Sequence, residues 1–373
     1  MISPWFRVAA VVCFAAGVHL PVLACAEEPI FVYGQFNYGG LFYDDGLNNE
    51  GYFVDANSAN SRVGIDIFLP QNEVGQLRFN FETALGTTLS TEVSQNTGSR
   101  FDWDWEKTDL RKFEAIYSTN DYGRFYLGQG SMASDGVTGS DFSGTRVVTA
   151  AKVSDLSGGQ LFRFGDGVLS TVSFGSVVSD YDGSRRFRAR YDTPAIAGFT
   201  LSGAYGQEIL RDNDDRDYYD VALRYANEFG DFKAAAGGGY NWRSDDVRFG
   251  AFSGGLLHIP SGISGSFVAG ANNDDGDFVY GKFGVERSLF GYADYTTAFS
   301  VDYYSGSNLN GRNSDTQSFG LALVQNIGKN FDVYGLFRTH QYNDTRASYK
   351  DGHAFFVGAR YKFKIGVTEG KIY

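Results

Sequence analysis

Large apolar and polar residues alternate one for one along most of this chain. In HAFFVGARYKF (353–363), Phe355, Val357, Ala359, Tyr361 and Phe363 form one set, and the other ends in Arg360 and Lys362. Successive side chains of a strand point to opposite faces, so one face is continuous apolar surface and the other carries cations. The pattern repeats in SRVGIDIFL (Ile65 and Ile67 against Arg62 and Asp66), in QLRFNFETAL (Phe79 and Phe81 against Arg78 and Glu82), and in RRFRARYD (Phe187, Ala189 and Tyr191 against Arg186, Arg188 and Arg190). It predicts sixteen strands, near 30–42, 61–69, 75–85, 110–118, 123–129, 184–192, 198–206, 217–227, 230–240, 247–257, 263–271, 278–287, 295–304, 315–325, 330–338 and 353–363. Strands tilted through a bilayer need about 9–11 residues, which these lengths match.

The connections alternate too. Short links such as PQNEV (70–74), TNDY (119–122) and NIGK (326–329) separate longer ones at 43–60, 86–109, 130–183, 207–216, 305–314 and 339–352. Short turns at one rim and long loops at the other are the signature of a transmembrane antiparallel β-barrel. The charges on the polar faces need water, because each buried unpaired charge costs several kcal/mol, and about sixteen strands enclose an aqueous lumen.

Composition agrees. The 373 residues include 48 Gly, 24 Tyr and 33 Phe but only 6 Pro, and with a mean hydropathy of −0.26 the body holds no apolar run long enough for a membrane helix. Residues 1–26 read as a secretory signal peptide: Arg7, an apolar run, then Ala24-Cys25-Ala26 as the cleavage site, with acylation at Cys25 as the alternative. Both cysteines fall in this segment, so the exported chain lacks a disulfide. The net charge of −12 argues against nucleic acid as a partner.

Five stretches resemble the general diffusion porins of Gram-negative outer membranes: FVYGQFNYGG (31–40), NSRVGI (60–65), GRFYLGQ (123–129), RARYDTPAIAGFTLSGAYG (188–206) and VGARYKF (357–363). The resemblance implies a trimeric sixteen-stranded barrel over residues 27–363, multi-pass in the outer membrane, through which small hydrophilic solutes and ions diffuse passively. It implies that 130–183 folds into the lumen as a constriction loop. Two departures stand out. The family ends at the aromatic residue that serves as an assembly signal, here Phe363, whereas this chain continues through a 364–373 extension. The loop is also long, and GQLFRF and VLSTVSFGS within it are candidates for an extra hairpin.

By the same resemblance, loop acids face arginines across the lumen. The matching acids are Asp135, Asp141 and Asp155, and the wall cations are Arg62, Arg78, Arg124 and Arg360, with Arg186, Arg188, Arg190, Glu82 and Lys362 also facing the pore. This predicts a weakly cation-preferring channel. Pairing of those arginines with Asp66 and Glu82 is the purely structural alternative. A structural or adhesive barrel, or a solute-specific channel of the same fold, remains the rival function. Loop 86–109, with Trp103 and Trp105, is the candidate contact to a neighbouring subunit. The outer acids Asp274, Asp275 and Asp277 are weak candidates for Ca²⁺ or Mg²⁺ bridging to lipopolysaccharide; no other cofactor is expected. His258, His340 and His353 lie in no hydrolase motif, so no enzyme activity is expected.

Overall fold

The computed structural model describes residues 30–288, 292, 294–368, 371 and 372. The signal segment, Cys25 and Tyr373 lie outside the described residues. In chain order the strands are β1 (Ile30–Asp44), β2 (Asn49–Asp55), β3 (Arg62–Phe68), β4 (Gly75–Ala84), β5 (Leu110–Thr119), β6 (Arg124–Ser131), β7 (Leu161–Arg163), β8 (Leu169–Ser173), β9 (Arg185–Asp192), β10 (Phe199–Gln207), β11 (Asp217–Phe229), β12 (Phe232–Arg243), β13 (Arg248–His258), β14 (Ile263–Asn272), β15 (Asp277–Arg287), β16 (Thr297–Ser307), β17 (Asp315–Ile327), β18 (Phe331–Asn343), β19 (Gly352–Thr368) and β20 (Lys371–Ile372). No helix among the described residues is long and apolar enough to cross a membrane.

Antiparallel neighbours pair in sequence order and β19 closes onto β1, giving a sixteen-strand barrel. β2 and β3 share one place in the wall: β2 pairs the upper half of β1 and β3 the lower half. The expected loop at 43–60 is therefore a tight turn, a strand and an inward kink at 56–61. Asp55 holds the kink, its carboxylate accepting from the Ser61 N–H at 2.9 Å and the Thr87 hydroxyl at 2.8 Å. β7 and β8 pair only with each other, so the hairpin inside 130–183 exists but adds nothing to the wall. The closing seam runs past Phe363, pairing Ile30 with Val367, so the first residues of the extension continue the wall.

The two-faced reading of the strands holds. Ile65, Phe79, Phe187, Val221, Phe355, Val357 and Tyr361 are exposed on the outer surface, whereas Glu82, Arg188, Arg338 and Phe356 are buried on the inner side. Lipid covers the outer set in the membrane.

Segment 132–184 lies inside the barrel and packs on it through two apolar clusters. Val147, Val148 and Leu156 meet Leu41, Val54, Ala322 and Leu336. Val153, Phe162, Phe174 and Val177 meet Val268, Phe278, Tyr304 and Tyr342. Each fully buried side chain of this size is worth about 1.5–3 kcal/mol. Glycines on the wall make room: a Cβ at Gly237 would lie 2.7 Å from the Val137 carbonyl oxygen, and one at Gly284 would lie 2.5 Å from the Ser143 Cβ. The inner faces of β14–β18, with Leu41 of β1 and Val54 of β2, thus offer the loop apolar patches.

Candidate functional site: a constriction between two charged walls

The loop is stapled along half the barrel. Asp220 on β11 accepts from the Ser134 N–H at 2.7 Å and its hydroxyl at 2.6 Å. Ser253 on β13 donates to the Val137 carbonyl at 2.5 Å. Lys282 on β15 sits 2.8 Å from Asp141 and also donates to the Thr149 carbonyl at 2.9 Å. Asp302 on β16 accepts from the Thr149 hydroxyl at 2.8 Å and pairs with Arg338 of β18 at 2.8 Å. His340 Nε2 on β18 lies 2.8 Å from the Ser157 hydroxyl, its ring stacked on Phe174. The outgoing leg ends at the wall kink, where the Asn57 amide donates to Asp155 at 3.1 Å and the Ser58 hydroxyl to the Val147 carbonyl at 2.6 Å.

The chain then climbs through the β7–β8 hairpin and returns. Tyr304 accepts from the Ser179 N–H at 3.0 Å. Asp182 accepts from the Gly136 N–H at 2.9 Å, tying the end of the loop to its start.

The strands that the loop leaves bare carry the cations. Glu82 is surrounded by Arg111 at 2.7 Å, Lys112 at 3.6 Å and Arg62 at 3.9 Å. Arg360 (2.7 Å) and Lys362 (3.3 Å) share Asp332. Arg185, at the start of β9, extends the positive field toward Arg62 and Arg111. One carboxylate among three cations, and another between two, leave this wall net positive.

Asp135, Asp155, Asp180 and Asp182 supply the loop side, with Lys152 among them. Burial pushes the Asp155 carboxyl up to about 6 although Lys152 is near. Burial, then the Asp180 and Asp135 carboxylates, push Asp182 up to about 8, and Asp180 is raised by the same crowding. Asp155 foremost, with Asp180 and Asp182, raises the Lys152 ammonium.

The candidates sort as follows. Arg62, Glu82, Arg360 and Lys362 gather in ion pairs on the strands that the loop leaves bare, and Asp135 and Asp155 lie on the loop, Asp155 accepting from the Asn57 amide. Asp141 is turned to the wall, and although burial pushes its carboxyl up, the Lys282 ammonium holds it below the usual range. Arg78 pairs with Asp66 at 3.3 Å, four residues nearer the short-turn rim than Glu82, and Arg124 starts β6 at that rim. Arg186 pairs with Glu208 (3.4 Å), Arg188 with Glu114, and Arg190 with Asp192 (2.7 Å). All three line the inner wall, and Arg190 also grips the Met132 carbonyl at 2.8 Å. Phe363 lies within β19 rather than at an end.

Alternation alone missed Arg111, Lys112 and Arg185. The β4–β5 register slips between Glu82 and Thr83, and this bulge turns both Arg111 and Lys112 toward Glu82. The spaced acids of SDYD (179–182), directly before the arginine-rich strand, were the available signal for Asp180 and Asp182.

Asp274, Asp275 and Asp277 do not converge. Asp275 pairs with Arg312 at 3.7 Å, and no group of three metal-ligating residues gathers among the described residues.

Loop 86–109 divides. Residues 90–94 are packed inside the mouth, with Ser90 and Val93 buried, whereas Phe101, Trp103 and Trp105 lie on the outer wall. There Phe101 packs at a tilt against Phe53 with ring centroids 5.1 Å apart, and Trp105 donates to the Thr83 hydroxyl at 2.8 Å. Trp103 remains 74% exposed and Trp105 51% exposed, so both rings are free for a neighbour.

No curated protein matches this sequence. Several solved structures share the fold at low identity. An anion-selective porin from Comamonas acidovorans aligns with TM-score 0.56 at 14% identity, over 90% of this chain and 100% of that one. A loop L8 deletion mutant of OmpT, an outer membrane protein of Vibrio cholerae, aligns with TM-score 0.55 at 18% identity, over 90% and 99%. The trimer form of in-vitro folded OmpT aligns with TM-score 0.53 at 17% identity, over 90% and 100%. The family model for Gram-negative porins matches residues 8–347. With a closed barrel, an inner loop and a match over most of its length, the chain belongs to the Gram-negative porin family and crosses the outer membrane as a multi-pass β-barrel.

Proposed function

We propose that this porin is a water-filled channel for passive diffusion of small hydrophilic solutes and ions, weakly cation-preferring and assembled as a homotrimer, with no catalytic role. The observation that carries the reading is the placement of charge. The loop covers β11–β18, and the bare wall opposite presents Arg62, Arg111, Lys112 and Arg360, all still open to solvent. Charges of both signs across a wet gap screen neither cations nor anions absolutely. At the eyelet the acids Asp135, Asp155 and Asp180, with Asp182 adding its charge only as the pH rises, are nearly balanced by these cations. The net charge of −12, with Asp212, Asp214 and Asp215 in one outer loop and Asp274 and Asp275 in another, tips the preference toward cations.

The trimeric form of one fold neighbour and the free Trp103 and Trp105 rings support the homotrimer. The acidic outer turns sit where anionic lipopolysaccharide and its divalent counterions would lie. A solute-specific channel is the second reading, favoured by the inward folding of residues 90–94. Single-channel recording in a planar bilayer, followed by a salt gradient, tests the proposal: conductance steps with a small cation-directed reversal potential are expected.

A further inference from the structure

Three segments meet inside the long-loop mouth. The Arg163 guanidinium of β7 pairs with Asp45 of the β1–β2 turn at 2.7 Å, and the Asp45 side chain is 1% exposed. Gln95 reaches the same point: its amide donates to the Leu161 carbonyl at 3.0 Å, and its oxygen accepts from the Leu161 N–H at 2.9 Å. The hairpin is sewn to the last outer loop as well, the Gly165 N–H donating to the Ser348 carbonyl at 2.9 Å and the Lys350 N–H to the Arg163 carbonyl at 2.8 Å. Phe162 packs on Tyr342, which is on the inner face of β18, so this assembly sits within the barrel mouth rather than above it.

We propose that the β7–β8 hairpin, with residues 90–97, forms a second, outer sieve that limits solute size before the charged constriction, and that Asp45 and Arg163 are its positioning residues. The proposal rests on the diffusion-channel reading. A buried ion pair of this kind specifies position more than stability. Here it fixes an irregular segment that has only a three-residue and a five-residue strand of its own. With the pair removed, the hairpin loses its charged tie to the β1–β2 turn, and the Gln95 hydrogen bonds, the Phe162 packing on Tyr342 and the contact to residues 348–350 hold it more loosely at the mouth.

The test uses the full exported chain in liposomes, with swelling rates for a pentose and a neutral trisaccharide. Asp45→Asn combined with Arg163→Gln removes both charges, so the local net charge is unchanged. The trisaccharide-to-pentose rate ratio should rise severalfold, with the reversal potential in dilute salt unmoved. Gly165→Cys with Ser348→Cys, added to that variant, puts the hairpin back under control. A Cβ at position 165 lies 3.9 Å from the Ser348 Cβ, near the usual disulfide separation, and the two native cysteines lie at positions 13 and 25. The oxidised form should recover the wild-type ratio and the reduced form should lose it. An unchanged ratio in all forms, with normal pentose entry, overturns the outer sieve and leaves the channel standing. Absence of pentose entry in the wild type overturns the channel itself.

Discussion

Lys282 Nζ lies 2.8 Å from a carboxylate oxygen of Asp141, and the lysine side chain is fully buried behind the constriction loop. The acid expected to face permeating ions is therefore a fastener. Lys282→Met leaves a buried carboxylate unpaired, which costs about 3–5 kcal/mol in comparable pairs. The expected outcome is a lower heat-dissociation temperature and noisy single-channel currents, with little change in reversal potential. A quiet channel with a shifted reversal potential would return Asp141 to the pore.

The outer face admits a sharper test of topology. Ile65→Arg and Val221→Arg place a charge in lipid and should each destabilise the barrel by about 2–4 kcal/mol if they lie near the midplane. Thr200→Glu, inward and opposite Arg224, should cost far less. Urea titration of the folded barrel in lipid measures all three, and equal costs would contradict the assignment of faces.

Asp182 ties the two ends of the loop, and its raised value has a sign. Burial and the neighbouring Asp180 and Asp135 carboxylates push its carboxyl up to about 8 from the ordinary 3.8, so its proton should be lost between about pH 6 and pH 9. Raising the pH across this window adds one negative charge to the loop and should move the reversal potential toward cations. The folded state binds the proton more tightly than the unfolded chain between about 4 and 8, so stability should fall as pH rises through that range. Asp182→Asn should abolish both trends. A pH response that survives the substitution assigns it to another group.

Trp103→Ala with Trp105→Ala should weaken the oligomer without unfolding the barrel, because both rings are exposed and touch their own chain mainly through the indole N–H groups. Heat-resistant trimers that migrate unchanged on a gel would rule out this contact.

The barrel was legible in the sequence because one physical fact, side-chain alternation between lipid and water, repeats in every strand. Ile65 against Arg62 already gives the orientation of β3. The constriction was legible only in part. Arg62 and Arg360 obey the alternation, but Arg111 faces inward through a bulge, which leaves no regular trace in residue order. The partnership of Asp141 with Lys282 spans 141 residues, and nothing local distinguishes a stapling acid from one facing the pore. The kink at 56–61 was hidden for a similar reason, since Asp55 holds it through Thr87 of another loop.

The central claim is a wet passage between loop acids and wall cations, and the salt dependence of its selectivity tests it most directly. A unit charge about 10 Å from an ion in water is worth roughly 0.4 kcal/mol, and screening lengths are about 10 Å at 0.1 M and about 3 Å at 1 M. The channel should therefore show a small cation-directed reversal potential in dilute salt that nearly vanishes in concentrated salt. Changing Asp135, Asp155, Asp180 and Asp182 together to Asn should turn it toward anions. A membrane that shows no conductance steps, or a reversal potential indifferent to both salt and the four substitutions, would contradict the account.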